Sequence, residues 1–141
     1  MIFKFCAETG VTLHDCEIGE WIFGEDITMI FEDGFDVFAD CPQNDTGRHK
    51  RTGKSAVILK NAGFISGKAY LANDEEMQVN KEHLSDMEFD VLDFKILPCS
   101  VIIECDAWKD GKDAGFCELE FSCEKALYCW NEYIDDAWFQ K

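Results

Sequence analysis

Residues 100–123 read SVIIECDAWKDGKDAGFCELEFSC, and this stretch decides the fold class. In its second half, apolar and polar residues alternate strictly: Cys117, Leu119, Phe121 and Cys123 are separated by Glu118, Glu120 and Ser122. A period of two is typical of a strand with one buried face and one wet face. At the centre lies Asp110-Gly111, a dipeptide that tolerates the positive φ of a tight turn. We therefore predict a β-hairpin with strands at 100–108 and 115–123.

The strand pattern continues outside this hairpin. Residues 27–31 and 35–39 are β-rich runs around Glu32-Asp33-Gly34, which predicts a second hairpin. In residues 87–96 the apolar positions change parity after Val91, so a β-bulge or a crossing between two sheets is expected there. Weaker strand candidates are residues 2–6, 11–18, 55–60 and 64–72. About nine short strands at this spacing favour a sandwich or a barrel.

The end of the chain has a different pattern. Apolar residues recur near the helical period, which predicts a C-terminal helix; they are Leu127, Trp130, Ile134, Ala137 and Trp138. Residues 74–86 are polar and fit either a loop or a short helix. No linker-like stretch divides residues 1–141, so the expected fold is a single, mainly β domain. It is an antiparallel β-sandwich or barrel of about nine short strands with a C-terminal helix.

Composition and charge limit the classes of partner. Apolar residues form 47% of the 141 residues, enough for a core, but no run approaches the length of a membrane span. The formal net charge is −16, with most of the excess acid in the second half. Such a field repels nucleic acid and anionic membranes and attracts cationic partners. We therefore predict that the chain binds neither nucleic acid nor membrane.

The N-terminal residues and the cysteines indicate a compartment. The chain reaches Glu8 before any long apolar region and has no small-residue cleavage pattern, which predicts a cytoplasmic protein. Cytoplasmic thiols are kept reduced, so the eight cysteines are interpreted as reduced, mostly buried side chains. The sequence leaves the oligomeric state open.

Motifs for cofactors and catalysis are incomplete. Residues 47–55 resemble a phosphate-binding loop, but five residues separate the glycines and a strand pattern follows. Residues 106–117 resemble a calcium loop that lacks its closing acid. His14 and Cys16 could give only two of the four ligands that zinc prefers. We therefore predict no cofactor and no metal, and whether the chain is an enzyme stays open, with a binding protein favoured.

The acidic strands suggest a binding function. Glu118, Glu120 and Glu124 are predicted on the wet side of one strand, and Glu88 and Asp90 on that of another. If these two strands are neighbours, the like charges on them destabilise the sheet, and folding alone does not favour them. These five residues are the predicted contact with a basic protein partner, which the chain would neutralise or escort, as an immunity or adaptor protein does. A charged exterior that serves solubility alone is the simpler interpretation.

Two further functions stay open. A β-barrel could hold a small apolar ligand against aromatic side chains, with Trp21, Phe23, Trp108 and Trp130 as the predicted lining. A hydrolase could combine a cysteine with His14, His49 or His83, although no motif selects the pair.

Overall fold

The computed structural model describes residues 3–70 and 75–141 and confirms a mainly β protein, with 59% of these residues in strands and 3% in helix. The elements are β1 (Phe5–Ala7), β2 (Val11–Thr12), β3 (Glu17–Ile18), β4 (Glu20–Phe23), β5 (Ile27–Phe31), β6 (Asp36–Val37), β7 (Lys50–Thr52), β8 (Ser55–Lys60), β9 (Gly63–Tyr70), β10 (Glu76–Gln78), α1 (Lys81–Leu84), β11 (Glu88–Leu97), β12 (Ser100–Lys109), β13 (Lys112–Ser122), β14 (Lys125–Trp130) and β15 (Tyr133–Asp136). No helix in the described ranges is long and apolar enough to cross a membrane.

The strands form three antiparallel sheets. The five-stranded sheet has the order β1-β14-β8-β5-β4, the six-stranded sheet β10-β9-β13-β12-β11-β3, and the four-stranded sheet β15-β7-β6-β2. The inner faces of the two larger sheets meet in one apolar core. There, Trp21 of β4 packs on Phe89 of β11 and Phe121 of β13, with ring centroids 5.9 and 5.5 Å away. Phe35, which precedes β6, joins the four-stranded sheet to this core through Trp130.

The predicted hairpin at 100–123 is confirmed. Strands β12 and β13 pair from Ser100↔Ser122 to Lys109↔Lys112. Asp110 and Gly111 alone form the turn, with φ of 53° and 76°. Both central residues of this turn therefore have the positive φ that matches the twist of a two-residue hairpin.

The change of parity after Val91 is a β-bulge, one of the two alternatives that the sequence left open. The register of β11 against β12 shifts between Val91 and Asp93, which leaves Leu92 as the extra residue. The segment before β3 closes over the bulge: the backbone N–H of Asp15 donates to the Val91 carbonyl at 2.8 Å, and His14 Nδ1 lies 2.8 Å from the Leu92 carbonyl.

The predicted hairpin at 27–39 is wrong, because its two strands belong to different sheets. β5 pairs with β4 and β8, whereas β6 pairs with β2 and β7. After Gly34, Phe35 is held by Thr52: the Phe35 N–H donates to Thr52 Oγ1 at 3.0 Å, and the Thr52 N–H donates to the Phe35 carbonyl at 2.9 Å. Residues 32–34 are therefore a corner between sheets.

The predicted C-terminal helix is also wrong, since residues 125–136 form β14 and β15. β14 lies inside the five-stranded sheet, paired with β1 on one side and β8 on the other. Its Tyr128 and Trp130 are buried in the core, and burial on a pleated face outweighs the weak helical period.

The strand count and sheet closure also differ from the prediction. The described residues hold fifteen strands rather than about nine, because strands of two residues such as β2, β3 and β6 are too short for an alternation to show. All three sheets are open, so the barrel alternative does not hold. Residues 75–86 contain β10 and α1. Residue 2, residues 71–72 and residue 74, which were part of predicted segments, lie outside the described residues.

Candidate functional site

The outer face of the six-stranded sheet carries rows of carboxylates. In one row Glu17 of β3 lies opposite Asp90 of β11, which lies opposite Asp106 of β12. In a parallel row Glu104 of β12 lies opposite Glu118 of β13. Cross-strand partners project on the same side of a sheet, so these acids are direct neighbours. We call this surface the acidic face, formed by Glu17, Glu88, Asp90, Asp93, Glu104, Asp106, Glu118 and Glu120.

Few positive charges compensate the acidic face. Lys95 Nζ contacts Glu104 Oε1 at 2.6 Å, and the nearby Lys68 contacts Glu76 of β10 at 3.4 Å. Within the described ranges, no salt bridge reaches Asp106, Glu118 or Glu120. Lys68 is nevertheless the cross-strand partner of Glu118, and Asp93 and Glu118 help to raise the pKa of Lys95. The row that contains Glu17, Asp90 and Asp106 is therefore the part of the face that no salt bridge among the described residues reaches.

Repulsion is visible in the ionisation of Glu17 at the edge of the face. Partial burial raises the pKa of this carboxyl above its ordinary value, and the neighbouring Glu88 and Asp90 raise it further. Glu17 and Glu88 also line a cleft of about 260 Å³ together with Glu32 and Asp33. Added positive charge at the edge formed by β3 and β11 would therefore favour the ionised form of Glu17.

Exposed aromatic side chains lie among the acids. Trp108 is 36% exposed and donates from Nε1 to Asp90 Oδ2 at 3.2 Å. Tyr70 is 39% exposed, and its ring lies 6.0 Å from that of Phe116, which is opposite Asp106. Exposed Trp and Tyr are enriched in protein interfaces, where they supply contact area at low entropic cost.

Four of the five predicted partner-binding residues share this face. Glu118 and Glu120 lie on β13 and Glu88 and Asp90 on β11, with β12 between the two strands. The two predicted groups therefore do not oppose each other directly, and the acids that oppose them lie on β12. Glu124 does not join them: β13 ends at Ser122, and Glu124 lies in the turn to β14, where its N–H donates to the Lys60 carbonyl.

The sequence prediction did not single out Glu104 and Asp106, which connect the two predicted groups. Both alternate with the buried Ile103, Cys105 and Ala107 of β12. That alternation was available in the sequence as the signal for an outward position.

The four predicted ligand-lining aromatics do not converge on one cavity. Trp130 is fully buried in β14, and Trp21 is buried in β4, three strands away in the same sheet. Phe23 stacks on Trp21, whereas Trp108 lies on the acidic face.

The three histidines do not form a pair with a cysteine thiol. The Nδ1 atom of each ring is hydrogen-bonded to the backbone instead. His14 pairs with the Leu92 carbonyl, His49 accepts from the Ala39 N–H, and His83 accepts from the Asn80 N–H. No Cys Sγ within hydrogen-bonding distance of a His ring occurs in the residues that the structure describes. Burial raises the pKa of Cys16 and Cys117 to about 11, which disfavours the thiolate that a nucleophile needs.

Residues 3–70 and 75–141 contain no cluster of three or more His, Cys, Asp or Glu side chains placed to hold a metal ion.

Comparison with known proteins finds no family model, no curated protein and no solved structure that matches the chain. The acidic face is therefore interpreted from its own geometry and charge.

Proposed function

We propose that the acidic face binds a basic protein partner and thereby neutralises or escorts it. The observation that carries this proposal is the direct opposition of Asp90 with Asp106 and of Glu104 with Glu118 across neighbouring strands. Opposed like charges lower the stability of a sheet by a few tenths of a kcal/mol per pair. Lys or Arg side chains from a partner would convert this repulsion into attraction.

The layout of the face supports a protein partner over a small cation. The carboxylates are spread over several strands rather than gathered around one point, and they are interleaved with Trp108, Tyr70 and Phe116. Complementary charge of this kind accelerates association and sets specificity, while the buried aromatic contacts hold the complex. A partner with basic residues around an apolar centre fits both features.

The test uses a Lys- and Arg-rich peptide with a central Leu as a probe and follows backbone amide shifts of the labelled protein by NMR. We expect shifts confined to β9, β11, β12 and β13, and affinity that falls steeply with added salt. The charge-reversal variant Glu118→Lys/Glu120→Lys should abolish these shifts and should lose the salt-eluted basic partner from a lysate capture.

The matched control is Asp40→Lys/Asp45→Lys, which changes the net charge equally at two exposed acids outside the six-stranded sheet. This variant should bind the probe nearly as well as the wild type. If the two variants lose binding equally, the attraction depends on net charge alone and the acidic face is not a site.

A further inference from the structure

Two cysteines lie side by side on the outer face of the five-stranded sheet. Cys6 of β1 is the cross-strand partner of Cys129 of β14, and the two Sγ atoms are 3.1 Å apart. Their strand neighbours Ala7, Tyr128 and Trp130 belong to the core. Cys6 and Cys129 therefore share the opposite face. A disulfide requires an S–S distance of about 2.05 Å, so closure needs an approach of roughly 1 Å.

The two thiols differ in access. Cys6 is exposed and Cys129 is 1% exposed. Burial, followed by the contact with Cys6, raises the pKa of Cys129 to about 12. Cys6 is therefore accessible to an external oxidant, whereas Cys129 is shielded and its thiolate is disfavoured.

A second cross-strand pair provides an internal comparison. Cys105 and Cys117 are opposite each other on β12 and β13, but both are fully buried in the core. Cys99 is exposed, like Cys6, and lies just before β12. Cys99 has Cys123 nearby, since the Cys123 N–H donates to the Cys99 carbonyl at 3.1 Å and Cys99 helps to raise the pKa of Cys123. Among the cysteines that the structure describes, however, Cys6 and Cys129 are the pair that combines an exposed sulfur with a direct Sγ–Sγ contact.

We propose that Cys6 and Cys129 form a thiol–disulfide exchange site that accepts glutathione disulfide and closes into a bond between β1 and β14. The Cys6 thiolate attacks one sulfur of glutathione disulfide and releases a glutathione thiolate. The Cys129 sulfur, on losing its proton, then attacks Cys6 Sγ and releases the second glutathione. The two protein thiols are oxidised to one disulfide, and glutathione disulfide is reduced to two glutathione molecules. The protons that Cys6 and Cys129 lose are taken up by the two released glutathione thiolates.

The test incubates the reduced, folded protein with glutathione disulfide, blocks free thiols with an alkylating agent, and maps the peptides by mass spectrometry. In the wild type we expect a Cys6–Cys129 bridge with the loss of two hydrogen masses, a glutathione adduct on Cys99, and reduced Cys105 and Cys117. The bridged protein should also unfold at a higher temperature than the reduced protein, since β1 is then held covalently.

Two variants separate the steps. Cys129→Ser should retain a stable glutathione adduct on Cys6, because nothing resolves the mixed disulfide. Cys6→Ser should leave Cys129 unmodified, and the control Cys99→Ser should form the bridge at the wild-type rate. A wild-type protein that keeps glutathione on Cys6 without bridging, or keeps Cys6 reduced while Cys99 reacts, overturns the proposal, and neither result affects the acidic face.

Discussion

At the residue scale, Asp36 is the least expected side chain in the molecule. It is fully buried, and its Oδ2 accepts from Arg51 Nη1 at 3.1 Å, while Oδ1 has no partner among the described residues. The pKa of Asp36 lies above its ordinary value, because burial raises it more than Arg51 lowers it. Arg51 also donates from Nε to the Asp33 carbonyl at 2.9 Å, so it ties the corner at residues 32–34 to β7.

Arg51→Met should therefore destabilise the protein by about 2 to 4 kcal/mol at neutral pH, because it leaves a buried carboxylate without its cation. The folded-state pKa of Asp36 then rises further above its unfolded value. The loss should consequently shrink as the pH falls and the carboxyl takes up a proton. Urea unfolding at neutral and mildly acidic pH measures both effects.

Lys54→Met is the matched control, since Lys54 pairs with Glu32 at 3.2 Å on the surface, where both side chains are substantially exposed. Its cost should stay below about 1 kcal/mol and should vary little with pH. Equal losses in the two variants would show that the buried pair contributes no more than a surface pair.

At the element scale, the corner at residues 32–34 sends the chain from the five-stranded to the four-stranded sheet. Gly34 has a φ of +78°, and a Cβ placed there would lie 2.1 Å from the Thr52 carbonyl oxygen. Only glycine allows both this conformation and this close approach of β7.

Gly34→Ala should destabilise the fold on the order of 4 kcal/mol, from backbone strain together with the clash at Thr52. Gly47→Ala is the control, because Gly47 has a φ of +77° and nothing within 4 Å of the added Cβ. Gly47→Ala should destabilise the fold by only about 1 kcal/mol, because it introduces backbone strain without a clash. Thermal unfolding of both variants gives the comparison, and similar midpoints would contradict the role assigned to Thr52.

Elements set by neighbouring residues could be predicted from the sequence, and those set by distant residues could not. The turn at Asp110-Gly111 and the bulge at Leu92 follow from local alternation and turn chemistry. The corner at Gly34 looks identical to a hairpin turn until Thr52, far along the chain, is placed against it. The outward positions of Glu118 and Glu104 were likewise predictable from the hairpin at 100–123. The opposition of Glu17 with Asp90 was not, because it depends on the pairing of β3 with the distant β11.

At the scale of the whole molecule, repulsion between opposed carboxylates on the acidic face lowers the free energy of unfolding. Its opposed carboxylates lie on one side of a sheet whose other side forms the core. A face that served solubility alone could interleave Lys and Glu and keep the same charge density. This arrangement is the reason for proposing a binding function for the acidic face.

Neutralising one opposed pair with Asp90→Asn/Asp106→Asn should stabilise the protein by about 0.5 kcal/mol at low salt, because the repulsion is removed and the Asn side chain still accepts from Trp108. The gain should shrink as salt screens the charges. Urea midpoints at low and high salt measure it, with Asp40→Asn/Asp45→Asn as a control. An equal gain in the control would assign the effect to net charge.

During synthesis on the ribosome, β1 cannot be paired until β14, near the other end of the sequence, has been made. Phe5, Cys6 and Ala7 emerge from the exit tunnel long before their partners Trp130, Cys129 and Tyr128 have been made. During that interval β8 has an unpaired edge where β14 will lie, and the core still lacks Tyr128 and Trp130 of β14. A nascent chain that stalls before residue 125 should therefore be a substrate for chaperones and proteases.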